Sequence, residues 1–235
     1  MPVAIITGAS RGLGRALAAE LAGRGWSLVL DGRDAAALRA AAAQLERDPG
    51  GDTGAVRAVP GDVTDPEHRA ALVAAADELG GVDLLVNNAS ALGAEPLVPL
   101  AELPLAGLRQ ALEVNVTAPL ALVQEALPAL RAASGAVLNV SSDAAVEAYG
   151  DWGGYGASKA ALDQLSAVLA VEEPGLRVWA VDPGDLRTEL YAAAVPDDPD
   201  FGERPLPEEV APVLLRLLER GAPSGRYSAS GLRGA

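Results

Sequence analysis

The chain has no cysteine and only one histidine, His68, among its 235 residues. Without cysteine there is no disulfide, no thiolate zinc site and no cysteine nucleophile. A single histidine cannot form a multi-histidine metal site unless a partner chain supplies the other ligands. We therefore expect no metal site, and we expect any chemistry to come from Ser, Thr, Tyr, Lys, Asp and Glu side chains.

The chain is also poor in positive charge, with 18 basic and 32 acidic residues and a formal net charge of -14. Such a surface repels nucleic acid and anionic membranes. No apolar run reaches the length of a membrane span, and no basic, apolar leader is visible at the N-terminus. The sequence thus predicts a soluble, cytoplasmic protein with neither nucleic acid nor membrane as partners.

Short apolar runs alternate with Ala/Leu-rich segments of helical period, which predicts an α/β fold with a parallel sheet. We find no internal repeat and no linker, so we expect one domain over residues 1–235. Residues 185–207 mix Pro, Asp, Gly and Glu, which predicts a substrate loop or lid. Strands are predicted at 3–7, 27–31, 55–60, 82–87, 136–141, 176–181 and 225–230. Helices are predicted from the glycines to about 24, at 35–47, after 66, and at 105–132, 155–171 and 208–219.

A glycine-rich turn follows the first predicted strand, with the sequence Thr7-Gly8-Ala9-Ser10-Arg11-Gly12-Leu13-Gly14. Glycines at such a turn allow the backbone to approach a pyrophosphate, and the following helix presents free N–H groups and the positive end of its dipole. The pattern predicts a dinucleotide site. The alternative is three glycines that only make a tight turn.

The end of the second strand, Leu30-Asp31-Gly32-Arg33, bears on the choice between NAD and NADP. An acid at this point binds the ribose hydroxyls and repels a 2′-phosphate, whereas arginine favours the phosphate. Gly32 stands where an acid would be expected, Arg33 follows it, and Arg11 supplies a second cation. The sequence favours NADP(H). NAD(H) is the second choice because a shift of one residue would place Asp31 on the ribose.

Two further polar motifs come at strand ends. Asp62-Val63 follows the third strand and fits contacts to the adenine edge, although an aspartate that only opens the next turn is nearly as good an interpretation. Asn87-Asn88-Ala89 closes the fourth strand, at the sheet edge where α/β proteins bind ligands.

Tyr155 and Lys159 are four residues apart on a predicted helix, so they share one face. An ammonium close to a phenol favours phenolate and lowers the phenol pKa from its usual value of about 10. Ser141-Ser142 ends the fifth strand at the same edge of the sheet, where a hydroxyl could hold a substrate oxygen beside the phenol.

Together these motifs resemble those of the short-chain dehydrogenase/reductase family, classical type. The resemblance covers residues 4 to about 188, and at Ser90 the chain departs from the family, which usually has glycine there. It is carried by Thr7-Gly8-x3-Gly12-x-Gly14, Asp62, Asn87-Asn88-Ala89, Asn115, Ser142, Tyr155-x3-Lys159, Pro183-Gly184 and Thr188. The resemblance implies a Rossmann-type, doubly wound parallel sheet of about seven strands with helices on both faces. It also implies an oxidoreductase that moves a hydride between NAD(P) and the carbonyl or alcohol carbon of a small-molecule substrate.

The resemblance also implies roles for individual residues. Tyr155 would be the general acid or base, and Lys159 would bind the nicotinamide ribose and lower the pKa of Tyr155. Ser142 would orient the substrate carbonyl. Asn115 would hold a water that links Lys159 to solvent, unless it is simply a polar residue on a wet helix face. Pro183, Gly184 and Thr188 would cover the nicotinamide.

Substrate contacts are expected from Ser142, Trp152, Asp185 and Leu186. Tyr149, Leu190 and Tyr191 extend the apolar wall, and core or interface packing is an equally good interpretation of Trp152. Glu147 and Asp185 would contact a polar or cationic substrate group, or else face solvent.

Two other functions remain open. One is a non-catalytic NAD(P)-binding sensor or scaffold on the same fold. The other is an epimerase or dehydratase with tightly held cofactor, although such relatives usually carry a larger C-terminal substrate domain. Resemblance further implies a homodimer or homotetramer built on the predicted helices 105–132 and 155–171.

Overall fold

The computed structural model describes residues 1–47 and 54–234, and its strands form one sheet. All of its neighbouring strands pair in parallel, in the order β3-β2-β1-β4-β5-β6-β7. This confirms the predicted doubly wound, seven-stranded architecture. The strands are β1 (Val3–Ile6), β2 (Ser27–Gly32), β3 (Val56–Pro60), β4 (Leu84–Asn87), β5 (Ala136–Val140), β6 (Arg177–Asp182) and β7 (Gly225–Ser228).

The helices of the described residues lie between and after these strands. They are α1 (Gly12–Ala22), α2 (Ala35–Leu45), α3 (Pro66–Asp77), α4 (Leu105–Leu112), α5 (Ala118–Ala133), α6 (Gly153–Glu172), α7 (Glu189–Ala194), α8 (Pro207–Glu219) and α9 (Ala229–Gly234). None of them is long and apolar enough to cross a membrane.

The helix predicted at 105–132 is not continuous in the structure. A π-helical segment, Glu113–Thr117, separates α4 from α5. Pro119, at the start of α5, has no N–H to donate to the carbonyl of Asn115, and in a regular α-helix its ring would clash with that carbonyl. The apolar period of 3.6 residues that predicted one helix does not reveal this widened turn.

The hydrophobic core has two layers because side chains alternate across each strand. Ala4 and Ile6 of β1 face the layer that contains α1 and α8, whereas Val3 and Ile5 face the layer that contains α3 and α5. Burial on both faces explains the near-continuous apolar runs of the strands.

The chain reverses its direction of travel across the sheet between β1 and β4, which are neighbours. Loops after these two strands therefore diverge to opposite faces and leave a crevice at the carboxyl edge, where open α/β sheets bind their ligands. The predicted glycine turn and the predicted Asn87-Asn88-Ala89 motif both lie at this crevice.

The segment 185–207, predicted as a loop, contains regular structure. It holds α7 and a short 3₁₀ turn, Phe201–Glu203. The guanidinium of Arg204 closes it by pairing with Asp198 at 3.0 Å and Asp185 at 3.4 Å. The ring of Tyr191 stacks with that of Phe201, and the guanidinium of Arg204 also lies over the Tyr191 ring. The lid role remains a prediction.

Candidate active site

The glycine turn is packed so tightly that side chains would not fit. Gly8 has φ +64°, in the left-handed region, and a Cβ added there would lie 3.0 Å from Ala89 Cα. A Cβ on Gly14 would lie 2.5 Å from Asn88 Nδ2. The glycines therefore keep the backbone close to the loop after β4 and exposed toward the crevice.

Thr7 and Asn88 brace this turn from opposite sides. Asn88 Nδ2 donates to the carbonyls of Thr7 at 2.8 Å and of Gly8 at 3.1 Å. The hydroxyl of Thr7 accepts the amides of Asn88 at 2.9 Å and Ala89 at 3.0 Å. Because both groups bind backbone, they fix the turn between β1 and β4.

The N-terminus of α1 is suited to an anion. Its N-cap residue, Arg11, makes no capping hydrogen bond with its side chain, and the first turn holds no acidic residue. The first amides and the positive end of the helix dipole are then available to a phosphate group. Leu13 is buried in the core below, which anchors this turn. The cradle fits the pyrophosphate of a dinucleotide.

Asp31, at the end of β2, is buried and uses both carboxylate oxygens. Oδ1 lies 2.6 Å from His68 Nε2, and Oδ2 accepts the amide of Gly8 at 3.1 Å. Gly32 follows without a side chain, and a Cβ there would lie 3.4 Å from Ser10 Oγ. The carboxylate thus braces the glycine turn from inside the protein.

Arg33 and Asp62 are exposed side chains just beyond the ends of β2 and β3. Asp62 Oδ1 accepts the amide and the hydroxyl of Thr64, at 2.9 and 2.8 Å, so the carboxylate does open a turn. The Thr64 amide lowers the pKa of Asp62, and the positive charge of Arg33 lowers it further. Val63 is buried, and its carbonyl accepts Arg69 Nη1 at 3.0 Å.

Arg11 forms an ion pair that the sequence did not predict. Its guanidinium forms an exposed ion pair with Glu189, in the first turn of α7. This pair links the glycine turn to segment 185–207, although the two residues are far apart in sequence. No pattern of either residue alone would have indicated it.

Tyr155 and Lys159 are brought together on α6 and are both buried. Lys159 Nζ donates to the carbonyl of Val140 at 2.8 Å and lies 5.4 Å from the centroid of the Tyr155 ring. The ring of Trp152 meets that of Tyr155 edge to face, with centroids 5.7 Å apart. The phenol is therefore held between an indole and an ammonium.

The protonation of this pair differs from the expectation in one respect. Burial raises the pKa of Tyr155 to about 12; a hydrogen bond with Ser90 lowers this pKa, and the negative charges of Asp143 and Asp182 raise it. The sequence predicted that Lys159 lowers the pKa of Tyr155, but in this structure burial outweighs any such effect. Burial also lowers the pKa of Lys159 to about 8.

Ser142 lies at the end of β5, as predicted, but its hydroxyl is engaged locally. It donates to Asp143 Oδ1 at 3.0 Å and accepts the amide of Ala144 at 3.2 Å, capping a 3₁₀ turn, Asp143–Ala145. Asp143 Oδ2 in turn accepts the hydroxyl of Tyr149 at 3.1 Å.

Asn115 is buried within the π-helical segment, which rules out the wet-face alternative. Its side chain amide exchanges two 2.8 Å hydrogen bonds with the backbone of Ala91. Nδ2 also donates to Ser158 Oγ at 2.8 Å, and Oδ1 accepts the Ser90 hydroxyl at 3.2 Å. Asn115 thus ties the loop after β4 to α6, one residue before Lys159.

Pro183, Gly184 and Thr188, which are expected to cover the nicotinamide, follow the end of β6. Gly184 donates its amide to Asp182 Oδ1 at 2.9 Å, across the half-buried Pro183. Thr188 caps α7 by accepting the amide of Tyr191 at 3.2 Å. A Cβ on Gly12 would lie 3.5 Å from Thr188 Cγ2, so this segment contacts the glycine turn.

Trp152, Asp185 and Leu186, all expected to contact substrate, lie in three different surroundings in the structure. Trp152 packs against the small apolar cluster of Leu92, Ala144, Tyr155 and Ala194, beside the phenol. Asp185 is partly exposed and pairs with Arg204. Leu186 differs from the expectation: it is buried in the main core together with α8, because it follows β6 directly onto that face.

Two features of the site were missed by sequence reasoning. A buried amide chain joins β4, β5 and α6, in which Asn87 Nδ2 donates to Asn139 Oδ1 at 2.8 Å and Asn139 Nδ2 to Ser166 Oγ at 2.7 Å. In addition, Lys159 is the only lysine of the chain, and every other residue of the 18 basic ones is arginine. That signal was visible in the sequence and singles out Lys159.

Comparisons with known proteins point to one family. A family model described as short chain dehydrogenase matches residues 2–199. The chain is 38% identical over 231 residues to a cis-4-hydroxycyclohexanecarboxylate dehydrogenase of Sinomonas cyclohexanicum, covering 94% of this chain and 90% of that protein.

Solved structures are similar over nearly the whole chain. An alcohol dehydrogenase of the archaeon Thermococcus sibiricus, complexed with 5-hydroxy-NADP, has a TM-score of 0.86 at 28% identity and covers 97% of this chain and 95% of its own. A short chain dehydrogenase of Shigella flexneri, complexed with NADP, has a TM-score of 0.88 at 27% identity, with 97% of both chains covered. The chain belongs to the short-chain dehydrogenase/reductase family and is an NAD(P)-dependent oxidoreductase that acts on CH–OH and C=O groups.

Proposed function

We propose that the protein is an NADP-dependent oxidoreductase in which Tyr155 is the general acid in carbonyl reduction and the general base in alcohol oxidation. The observation that carries this proposal is the burial of Tyr155 beside Lys159, at the sheet edge where Ser142 and the glycine turn also lie. A buried phenol next to a buried ammonium is costly for folding and has a clear use in proton transfer.

When bound, NADPH supplies a hydride for the carbonyl carbon. The backbone amides at the start of α1 would hold its pyrophosphate, and Lys159 would bind its nicotinamide ribose. Pro183, Gly184 and Thr188 would lie over the nicotinamide. Tyr155 gives its phenolic proton to the substrate oxygen, which becomes the alcohol. Because Tyr155 is protonated at neutral pH, it is ready to act as an acid.

Ser142 would hold the substrate oxygen beside the phenol. Its hydroxyl has to turn away from Asp143 before it can donate to a carbonyl oxygen. Asn115 would support a water that carries protons from solvent to Lys159. Its side chain binds Ala91 and Ser158, and Ser158 directly precedes that lysine.

The preference for NADP rests on the residues that follow β2. Asp31 is buried and occupied by His68 and Gly8, so its own carboxylate does not face a 2′-phosphate. Arg33 is exposed at the same edge and suits phosphate oxygens. Asp62 and Val63 would lie at the adenine. The structural relatives complexed with NADP and 5-hydroxy-NADP support this choice.

The test is NADPH consumption with a panel of aldehydes, ketones and quinones, and NADP reduction with the matching alcohols. The panel includes cis-4-hydroxycyclohexanecarboxylate, after which a relative is named. We expect carbonyl-dependent turnover that is faster with NADPH than with NADH. Tight NADPH binding without turnover of any compound would favour the sensor or scaffold instead.

We also propose that residues 1–235 act as one cytoplasmic catalytic domain that assembles as a homodimer or homotetramer. Leu120 of α5 and Val168 and Val171 of α6 are exposed apolar side chains on the two helices expected to pair. Light scattering after size exclusion measures the assembly, and a monomer at micromolar concentration would overturn the proposal.

A further inference from the structure

Arg226 connects β7 to the loop that carries Ser142 and to α6, the helix that carries Tyr155 and Lys159. It pairs in register with Ala180 of β6, and its side chain reaches across the edge of the sheet. Its Nη2 donates to the carbonyl of Ser142 at 2.8 Å, and its Nε donates to Asp163 Oδ2 at 2.9 Å. One planar guanidinium therefore holds both the loop of Ser142 and the helix of Tyr155 and Lys159.

Asp163 lies one helical turn after Lys159 on α6, so the two side chains share a face. Its side chain is only 14% exposed. Its second oxygen, Oδ1, is buried and has no hydrogen-bond partner among the described residues. A carboxylate that is sheltered from water and only half satisfied acts strongly on a nearby cation, because little solvent screens it.

The groups around Lys159 come from several elements. On α6 they are the Tyr155 ring and Asp163, on β5 the carbonyl of Val140, and on β7 Arg226, which partners Asp163. Asp143 and Asp182 act on the phenol from the ends of β5 and β6. Burial lowers the pKa of Lys159 to about 8, and the negative charge of Asp163 acts in the opposite direction.

We propose that Asp163, held by Arg226, is a positioning residue of the active site that keeps the Lys159 ammonium charged beside the Tyr155 phenol. The inference rests on the proposed function for the roles of Tyr155 and Lys159, but the charge on Lys159 exists whether or not the protein turns over a substrate. In alcohol oxidation the charged ammonium stabilises the phenolate that accepts the substrate proton.

The charge can be read directly because Lys159 is the only lysine of the chain. Lysine labelled with ¹³C and ¹⁵N gives one side-chain signal, whose titration midpoint reports the protonation of Lys159 in the folded protein. Asp163→Asn keeps the size of the side chain and an oxygen for Arg226, and removes the charge. We expect the midpoint to fall by about half a pH unit or more.

Two variants serve as controls. Glu173→Gln removes a carboxylate just beyond the end of α6, where it pairs with Arg131 far along the helix from Lys159, and should leave the midpoint in place. Asp163→Glu keeps the charge, so the titration midpoint of Lys159 should stay close to the wild-type value. A folded Asp163→Asn protein with an unchanged midpoint would overturn the proposal.

If Asp163→Asn does not fold, Arg226→Gln tests the same pair. It removes a cation from Asp163, so the midpoint of Lys159 should rise, and an unchanged midpoint again overturns the proposal. In an active protein, Asp163→Asn should also move the pH profile of alcohol oxidation to higher pH without weakening NADPH binding. A shifted midpoint in a protein that turns over no substrate would refute the proposed function and leave the electrostatic coupling standing.

Discussion

The carboxylate of Asp31 lies 2.6 Å from Nε2 of His68, inside the protein at the carboxyl end of β2. Its other oxygen accepts the amide of Gly8, the first glycine of the turn. Asp31, which left the choice between NAD and NADP open in the sequence, therefore braces the backbone of the glycine turn. Arg33 stays exposed at the same edge.

Arg33→Ala is expected to raise the KM for NADPH by about tenfold to a hundredfold, because a charge-assisted contact to phosphate contributes about 1.5 to 3 kcal/mol. The KM for NADH should change little, since NADH has no 2′-phosphate. Steady-state kinetics with both nucleotides measures the difference. Arg39→Ala, an exposed arginine on α2, is the matched control. Equal effects of Arg33→Ala on both nucleotides would speak against a phosphate contact.

Glu189→Gln should tighten NADPH binding about two- to fivefold. The ion pair between Arg11 and Glu189 is exposed, so it contributes at most about 1 kcal/mol, and its loss frees Arg11 for the 2′-phosphate. Fluorescence titration of NADPH and NADH tests this, since only NADPH should respond. Arg11→Ala should abolish the gain in the double variant; if the gain persists, Arg11 does not bind the phosphate.

The strands of the sheet and the glycine turn could be predicted because both depend on local patterns. Buried parallel strands read as apolar runs, and the turn needs glycine at Gly8 and Gly14 for close backbone approach. The π-helical segment around Asn115 was missed, since the apolar period continues through it. The one local signal was Pro119, which cannot donate the hydrogen bond that the carbonyl of Asn115 would accept in a regular α-helix.

Contacts between distant residues could not be predicted from one sequence. His68 meets Asp31, Arg11 meets Glu189, and Arg226 meets Asp163 only after the sheet has formed. Residue type alone suggests an exposed charge in each case. Leu186 shows the converse, because an apolar residue expected near the substrate is instead part of the core.

Lys159 is expected to destabilise the fold at neutral pH. Burial lowers its pKa from 10.5 to about 8, so between these values the unfolded chain binds more protons than the folded one. Stability therefore rises with pH from about 8 to 10.5, and the full cost is present below pH 8.

Lys159→Met should raise the free energy of unfolding at pH 7 by about 1 to 3 kcal/mol, less the lost hydrogen bond to Val140. The gain should shrink at pH 10. Urea unfolding at the two pH values measures both. A variant that is no more stable than wild type at pH 7 would show that the ammonium is not penalised by burial.

The most direct test of the account is the turnover of Tyr155→Phe. This change removes the proton donor and leaves the ring against Trp152, so kcat/KM for carbonyl reduction should fall about a hundredfold to ten-thousandfold. NADPH affinity should stay within about twofold, and Tyr149→Phe, an exposed tyrosine near the site, should remain active. Wild-type turnover by Tyr155→Phe would contradict the assignment of the proton to this phenol.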